Sequence, residues 1–216
     1  MNDPEDDRDG RQADPRMNPR EAPAHREEDR AGDGDTPIHD EGMDIPTGLP
    51  RGPDFLAHEF LLWLWYQSDR NLSRFTVGDK TIDLWVDDKI SFQATSEERI
   101  VNTFRGGAPS TTPEARLSIL SGKAIEEMRM GMRLDEQEWS FGLKAADGEI
   151  EIRGLRAPTL IREGLDEMLY ERVFLIEELT TILHTLFRRF FEDRRAPGWS
   201  ETIVPSIMNW LLGQDG

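Results

Sequence analysis

The chain has 216 residues, 43 Asp and Glu against 26 Lys and Arg, a formal charge of -17 and no cysteine. The missing cysteines remove disulfides, thiolate catalysis, zinc–thiolate sites and iron–sulfur clusters. The net acidity gives no overall pull toward phosphate or anionic lipid, both of which are recognised by clustered Lys and Arg.

The first 50 residues hold 15 acids and 6 bases, with Pro and Gly but almost no large apolar side chains. Such a segment buries too little surface to offset its ordering entropy. Residues 1–53 therefore read as a disordered acidic tail, solubilising in the simplest case. An arm that folds back on a basic surface is the functional alternative. No apolar h-region follows Met1, so no secretory signal is expected there. The longest apolar run, Phe60 to Tyr66, is far short of the roughly 20 residues that span a bilayer. A cytoplasmic location without membrane contact is the expectation, and no internal repeat is seen.

Residues 54–196 read as an α+β domain. Asp54 caps a helix to about Gln67 whose apolar positions Phe55, Leu56, Phe60, Leu61, Trp63, Leu64 and Trp65 cover more than one side. That predicts burial between layers or against a partner subunit. Ile82, Leu84 and Val86 alternate with Asp83 and Trp85 as in a strand. Asp87-Asp88 reads as a turn and Lys89–Gln93 as the returning strand of an N-terminal hairpin. A strand near Ile100–Phe104 follows, ended by Gly106-Gly107. Thr112-Pro113-Glu114 opens a short helix, with Pro113 at the first helical position.

The next three strands have the clearest alternation. Met128, Met130, Met132 and Leu134 share one face, as do Trp139, Phe141 and Leu143, and then Ile150 and Ile152. Asp147-Gly148 is a hairpin turn signal. An antiparallel three-strand meander with one solvated face follows. After Pro158 the period becomes 3.6. Leu165, Met168, Leu169, Val173, Ile176, Leu179, Leu183, Leu186, Phe187 and Phe190 trace one apolar stripe of a long helix, roughly seven turns. The fold expected is an antiparallel sheet, the meander plus the N-terminal hairpin, packed against that helix and the aromatic N-terminal helix. Residues 197–216 read as a C-terminal helical extension with Ile203, Ile207, Trp210 and Leu211 on one side.

No catalytic, metal or cofactor motif is found, and none of these roles is assigned to any residue. His58-Glu59 lacks a second histidine four residues on, where Leu62 stands, and His184 sits among apolar neighbours. Ser121-Gly122-Lys123 closes a helix, whereas phosphate loops open one. Asp83, Asp87 and Asp88 are most simply solvated. Two basic groups have a functional reading, phosphate contact. One is Arg129, Arg133, Lys144, Arg153 and Arg156 on or beside the meander's polar face, where Glu127, Glu138, Glu149 and Glu151 compete for them in cross-strand pairs. The other is Arg188, Arg189, Arg194 and Arg195, which also complement the helix dipole. Trp63, Trp65, Tyr66, Trp199 and Trp210 are the aromatic candidates for a partner interface.

The block Phe55-Leu56-Ala57-His58-Glu59-Phe60-Leu61-Leu62-Trp63-Leu64-Trp65-Tyr66 resembles a Phe-Leu-x-x-Glu-Phe-Leu-x-Trp-Leu-Trp block of the recombination-associated RdgC family. Thr112-Pro113-Glu114-Ala115 leading to Ser121-Gly122-Lys123 also looks like that family's C-terminal half. So do Met130–Leu134, Trp139-Ser140-Phe141, Asp147–Ile152 and Glu167–Leu186. The likeness spans about residues 54–192; the segment before it does not resemble the family's N-terminal half. It implies a non-enzymatic, nucleoid-associated protein and a ring-shaped homodimer with a basic hole. Such a protein binds duplex DNA without strong sequence preference and restrains recombinase loading. No small-molecule substrate is implied. The alternative is a protein–protein interaction module that keeps the fold and has lost DNA contact.

Overall fold

A computed structural model describes residues 45–47, 49, 52–70, 74–94 and 100–214. The expected tail therefore lies almost wholly outside the described residues. One part of it does not fit a tail. Ile45–Pro46 is a short strand, β1, that pairs antiparallel with residues 151–152. Thr47 is buried, and its hydroxyl donates to the Ile150 carbonyl at 2.7 Å. A two-residue strand leaves no periodicity to read, and Pro46 is tolerated because the strand sits at a sheet edge.

The remaining elements are α1 (Asp54–Arg70), β2 (Arg74–Val77), β3 (Lys80–Ala94) and β4 (Val101–Arg105). Then come α2 (Pro113–Leu120), β5 (Lys123–Leu134), β6 (Gln137–Ala146) and β7 (Glu149–Arg156). The long helix α3 (Leu165–Arg195) and the short α4 (Val204–Leu211) complete the chain. Among the described residues the strands form one antiparallel sheet in the order β1-β7-β6-β5-β3-β2, with β4 also on β3. The class is α+β.

The hairpin expected around Asp87-Asp88 is absent. β3 runs through those residues as one strand of 15, roughly 50 Å at ~3.3 Å per residue. One edge pairs with β5; the other pairs first with β2, then with β4. Asp87, Asp88 and Lys89 form a bulge, three residues opposite Arg129 alone, as the register passes from Val86↔Met130 to Ile90↔Met128. Two consecutive aspartates signal a break in alternation, and a bulge breaks it as a turn does. The actual hairpin lies earlier, with Gly78-Asp79 between β2 and β3.

The meander is built as the alternation demands. Met128 faces Leu143, Met130 faces Phe141 and Met132 faces Trp139 across β5 and β6, and Leu143 faces Ile152 across β6 and β7. All are at most 2% exposed. Two-residue turns hold the register. Asp147 and Gly148 both have positive φ, 50° and 76°, as a type I′ turn requires. Asp135 and Glu136 do the same at 47° and 68° without a glycine.

α1 lies on the dry face of this sheet, with Phe60, Leu61, Trp63, Leu64 and Trp65 all 0–2% exposed. Its rings reach three neighbours. Trp65 approaches Phe92 of β3 at 6.0 Å and Trp210 of α4 at 4.8 Å, and Phe60 approaches Phe187 and Phe190 of α3 at 5.2 and 5.5 Å. Each such side chain contributes about 1.5–3 kcal/mol by leaving water. The described part of the C-terminal extension, residues 197–214, joins the same core: Ile207, Trp210 and Leu211 of α4 are buried. Arg116 of α2 ties them down, donating to Trp210 O at 3.1 Å and to Asp69 Oδ2 at 3.0 Å, while Trp210 Nε1 donates to the same Asp69 oxygen at 2.6 Å.

The long helix departs from the single buried stripe. Its buried residues are Leu175, Leu179, Ile182, Leu183, Leu186, Phe187 and Phe190. Leu165, Leu169 and Val173 are 73%, 53% and 53% exposed, and Met168 is 37% exposed. Periodicity shows which side of a helix is apolar, not how far the body beneath it extends. Here the first ten residues, roughly 15 Å at 1.5 Å per residue, have no cover among the described residues.

Glu136→Gly should stabilise the fold by on the order of 0.5 kcal/mol. It relieves ~1–2 kcal/mol of left-handed strain and loses part of that to the greater freedom of the unfolded chain. Urea denaturation reads the shift. Gly131→Val should destabilise it strongly, because the Trp85 indole lies over Gly131 and a Cβ there would come within 2.2 Å of the ring.

Candidate functional site

The helical layer covers one face of the sheet and leaves the other open. On the open face most of the expected phosphate contacts are already engaged. Arg133 donates to Glu138 at 2.8 Å and lies 5.9 Å from the Trp85 ring centre. Lys144 pairs with Glu126 at 4.0 Å, and Arg153 donates to Glu151 at 2.9 Å. Arg129 instead donates through Nε to the Ser140 hydroxyl at 3.1 Å, and that hydroxyl is 3.4 Å from Asp87 Oδ2. Arg156 is exposed beside it, opposite Ser140.

The second basic group lies in the helical layer. Arg194 pairs with Glu59 at 2.5 Å and lies 5.5 Å from the Phe55 ring centre; Arg195 lies 5.5 Å from that of Phe191. Arg188 and Arg189 are exposed. The two groups occupy opposite sides of the sheet, so one chain does not merge them into a single phosphate track.

The aromatic candidates are corrected. Trp63, Trp65 and Trp210 are 1%, 0% and 3% exposed, and Tyr66 and Trp199 are half-buried against the same cluster. Trp210 stands edge-on to both Trp65 and Tyr66, and Trp199 stands edge-on to Phe190 at 5.9 Å. Trp63 Nε1 donates to Asp193 at 3.3 Å. These rings join α1, α3 and α4 to one another rather than facing outward. An apolar helix face looks the same in sequence whether its cover is its own chain or another.

The two histidines among the described residues serve the fold: His58 Nδ1 contacts the Ile125 carbonyl at 2.6 Å and His184 Nε2 the Thr47 carbonyl at 3.0 Å. Asp83 pairs with Arg74 at 3.7 Å while Asp87 meets Ser140, so the three aspartates do not converge. Lys80 of β3 pairs with Glu178 of α3. The hydrogen bond that Lys80 donates to the Glu178 carboxylate, ahead of that group's charge, raises the Lys80 pKa above the ordinary lysine value.

The surface that sequence reasoning missed is the start of α3. Leu165, Met168, Leu169, Tyr170, Val173 and Phe174 are all exposed, 76% for Tyr170 and 61% for Phe174. At 100° per residue they spread over roughly two thirds of the helix circumference, wider than one core-facing stripe, with Asp166, Glu167, Glu171 and Arg172 between them. That width was the available signal. Ahead of the helix, Leu160 and Ile161 are also exposed. The backbone between them and the helix is held in place: Glu171 accepts the Leu160 N–H at 2.7 Å and the Ile161 N–H at 3.2 Å. Beside Phe174 a groove of about 540 Å³ runs between α3 and the β2–β3 hairpin, with Val77, Ile82 and Ile182 in its lining.

Trp65→Ala should lower stability by about 3–5 kcal/mol, because it empties the centre of the core. Leu117→Ala, at an exposed position of α2, should change it by no more than about 0.5 kcal/mol. Chemical denaturation of the two variants separates a core side chain from a surface one.

Among the described residues no helix is long and apolar enough to cross a membrane. Comparison with protein-family models, curated proteins and solved structures finds no match to this chain.

Proposed function

We propose that this chain is a non-enzymatic interaction protein that works as a homodimer, joined through the first three turns of α3. The observation that carries this reading is the exposed apolar segment Leu160–Phe174. Its eight large apolar side chains are 37–76% exposed, and a run of exposed apolar side chains of this kind marks an interaction surface. A second copy is the occupant that matches this area on both sides with one surface, as a two-fold interface requires. The groove beside Phe174 gives that copy's side chains a place to enter. Pinning by Glu171 lowers the entropy lost on docking. A homodimer is also what the RdgC resemblance implies.

Leu169→Glu combined with Val173→Glu places two carboxylates in the centre of this patch. The wild-type chain should sediment as a dimer at micromolar concentration and the double variant as a monomer with unchanged circular dichroism. A monomeric wild type, or a variant that stays dimeric, removes the reading.

The DNA-associated reading keeps one supporting observation, the cations on the open sheet face. It predicts weak duplex binding whose log affinity falls linearly with log salt. Fluorescence anisotropy on a random duplex at several ionic strengths tests it, and no binding at low salt sinks it.

A further inference from the structure

We infer that the helical layer holds a binding cleft for a small free carboxylic acid with an apolar chain. The cleft, of about 470 Å³, lies between the second half of α3 and the segment that leads from β1 into α1. Its volume is within the roughly 300–1,000 Å³ of small-molecule sites. Leu49, Leu56, Phe187 and Phe191 form its walls, and His184 and Arg188 are its ionisable side chains. No carboxylate is among its described lining residues.

Both walls are fixed before any ligand arrives. On the α3 side, Phe187 stands edge-on to Phe60 at 5.2 Å, and it stacks on Phe191 at 6.5 Å with 13° between the rings. On the other side the backbone is pinned to the β6–β7 hairpin. The Thr47 N–H and hydroxyl both donate to the Ile150 carbonyl. The Leu49 N–H donates to the Thr47 hydroxyl at 3.3 Å, and the Gly52 N–H donates to the Gly148 carbonyl at 3.2 Å. His184 Nε2 meets the Thr47 carbonyl at 3.0 Å and ties this segment to α3. A preformed cleft loses little freedom when it is filled. Phe191 is 40% exposed, so apolar wall is left in water. A ligand with an apolar chain gains by covering it.

The polar end selects the head group. Arg188 is exposed and has no carboxylate partner among the described residues. The acids nearest in the two helices are placed otherwise. Glu59 takes Arg194, and Asp193 accepts from Trp63. Asp54 lies beside the Gly148 turn. Glu192 stands about one turn from both Arg188 and Arg195 and forms no ion pair with either. A guanidinium at the end of an apolar wall matches one carboxylate through its fork of N–H donors, and it repels a cationic head. The chain's charge of -17 opposes any anion at a distance, but physiological salt screens that field beyond about 8 Å. The inference is independent of the dimer reading, because the cleft uses α3 from His184 to Phe191 and the dimer patch ends at Phe174.

The test titrates the full chain at physiological salt with decanoate below its micelle threshold, read by calorimetry. Acetate, decyltrimethylammonium and vesicles of anionic phospholipid run alongside. The expected result is one-to-one binding of decanoate and none of acetate or the cationic amphiphile. Phe191→Glu, which puts a carboxylate in the wall at an exposed position, should abolish binding. Arg188→Gln should weaken it by about fivefold, the upper range for an exposed ion pair, and Arg188→Lys should retain part of the affinity. Arg162→Gln, ahead of α3, should leave it unchanged. The melting midpoint without ligand serves as the fold control for each variant. No binding of decanoate, several decanoates per chain, equal binding of decyltrimethylammonium, or full affinity in Phe191→Glu overturns the inference. Binding of vesicles without binding of the free acid also overturns it and makes this face a lipid surface. The Leu169→Glu, Val173→Glu variant should bind decanoate as wild type does, so failure of the dimer reading is seen separately.

Discussion

The structure depends on one dry interface, that between the meander and α1. Its side chains are Met128, Met130 and Met132, Trp139 and Phe141, and Ile150 and Ile152 below, with Phe60, Leu61 and Trp65 above. A slip of one residue in β6 would turn Trp139, Phe141 and Leu143 to water and Ser140 and Gly142 into the core. The two I′ turns prevent that slip, even where one of them lacks a glycine. α3 and α4 then pack on the remaining sides of α1, through Phe60 and Trp63 and through Trp65 and Tyr66. The helical layer therefore has α1 as its centre, and α1 has the sheet as its floor.

Because the core uses only one face of the strands, the other face is free to be irregular. Both the β3 bulge and the extra residue at Gly154 occur without breaking the ring-on-methionine contacts beneath. The two glycines of that face are covered by different groups. Trp85 and Arg133 roof Gly131, whereas the Arg153 backbone and the Glu127 carboxylate border Gly142. Acidic neighbours satisfy Arg133, Lys144 and Arg153, which explains how a body rich in carboxylates carries arginines on a strand face without self-repulsion.

The long helix divides its work by position. From Leu175 onward it has a buried side set by α1; before Leu175 its apolar side chains are interleaved with Asp166, Glu167, Glu171 and Arg172 and are uncovered among the described residues. Hydrophobic burial is not directional. A segment with such a surface satisfies it against whatever surface can be brought to it, and Glu171 holds the approach in one shape.

Local pattern by itself determined the α+β class, the three strands from Met128 to Ile152 with their inward and outward faces, the Pro113 helix start and the Asp147-Gly148 turn. Each of these follows from a period or a backbone preference that neighbouring residues express without help from distant ones. Tertiary structure decided the rest, because the deciding partner is far away in the chain. Ile45–Pro46 becomes a strand only because β7 offers an edge. Asp87-Asp88 is a bulge and not a turn because β5 pairs on both sides of it. Trp63, Trp65 and Trp210 are core because α3 and α4 return to cover α1. The start of the α3 stripe is surface because the body beneath it ends first, and a repeat of 3.6 carries no information about that length.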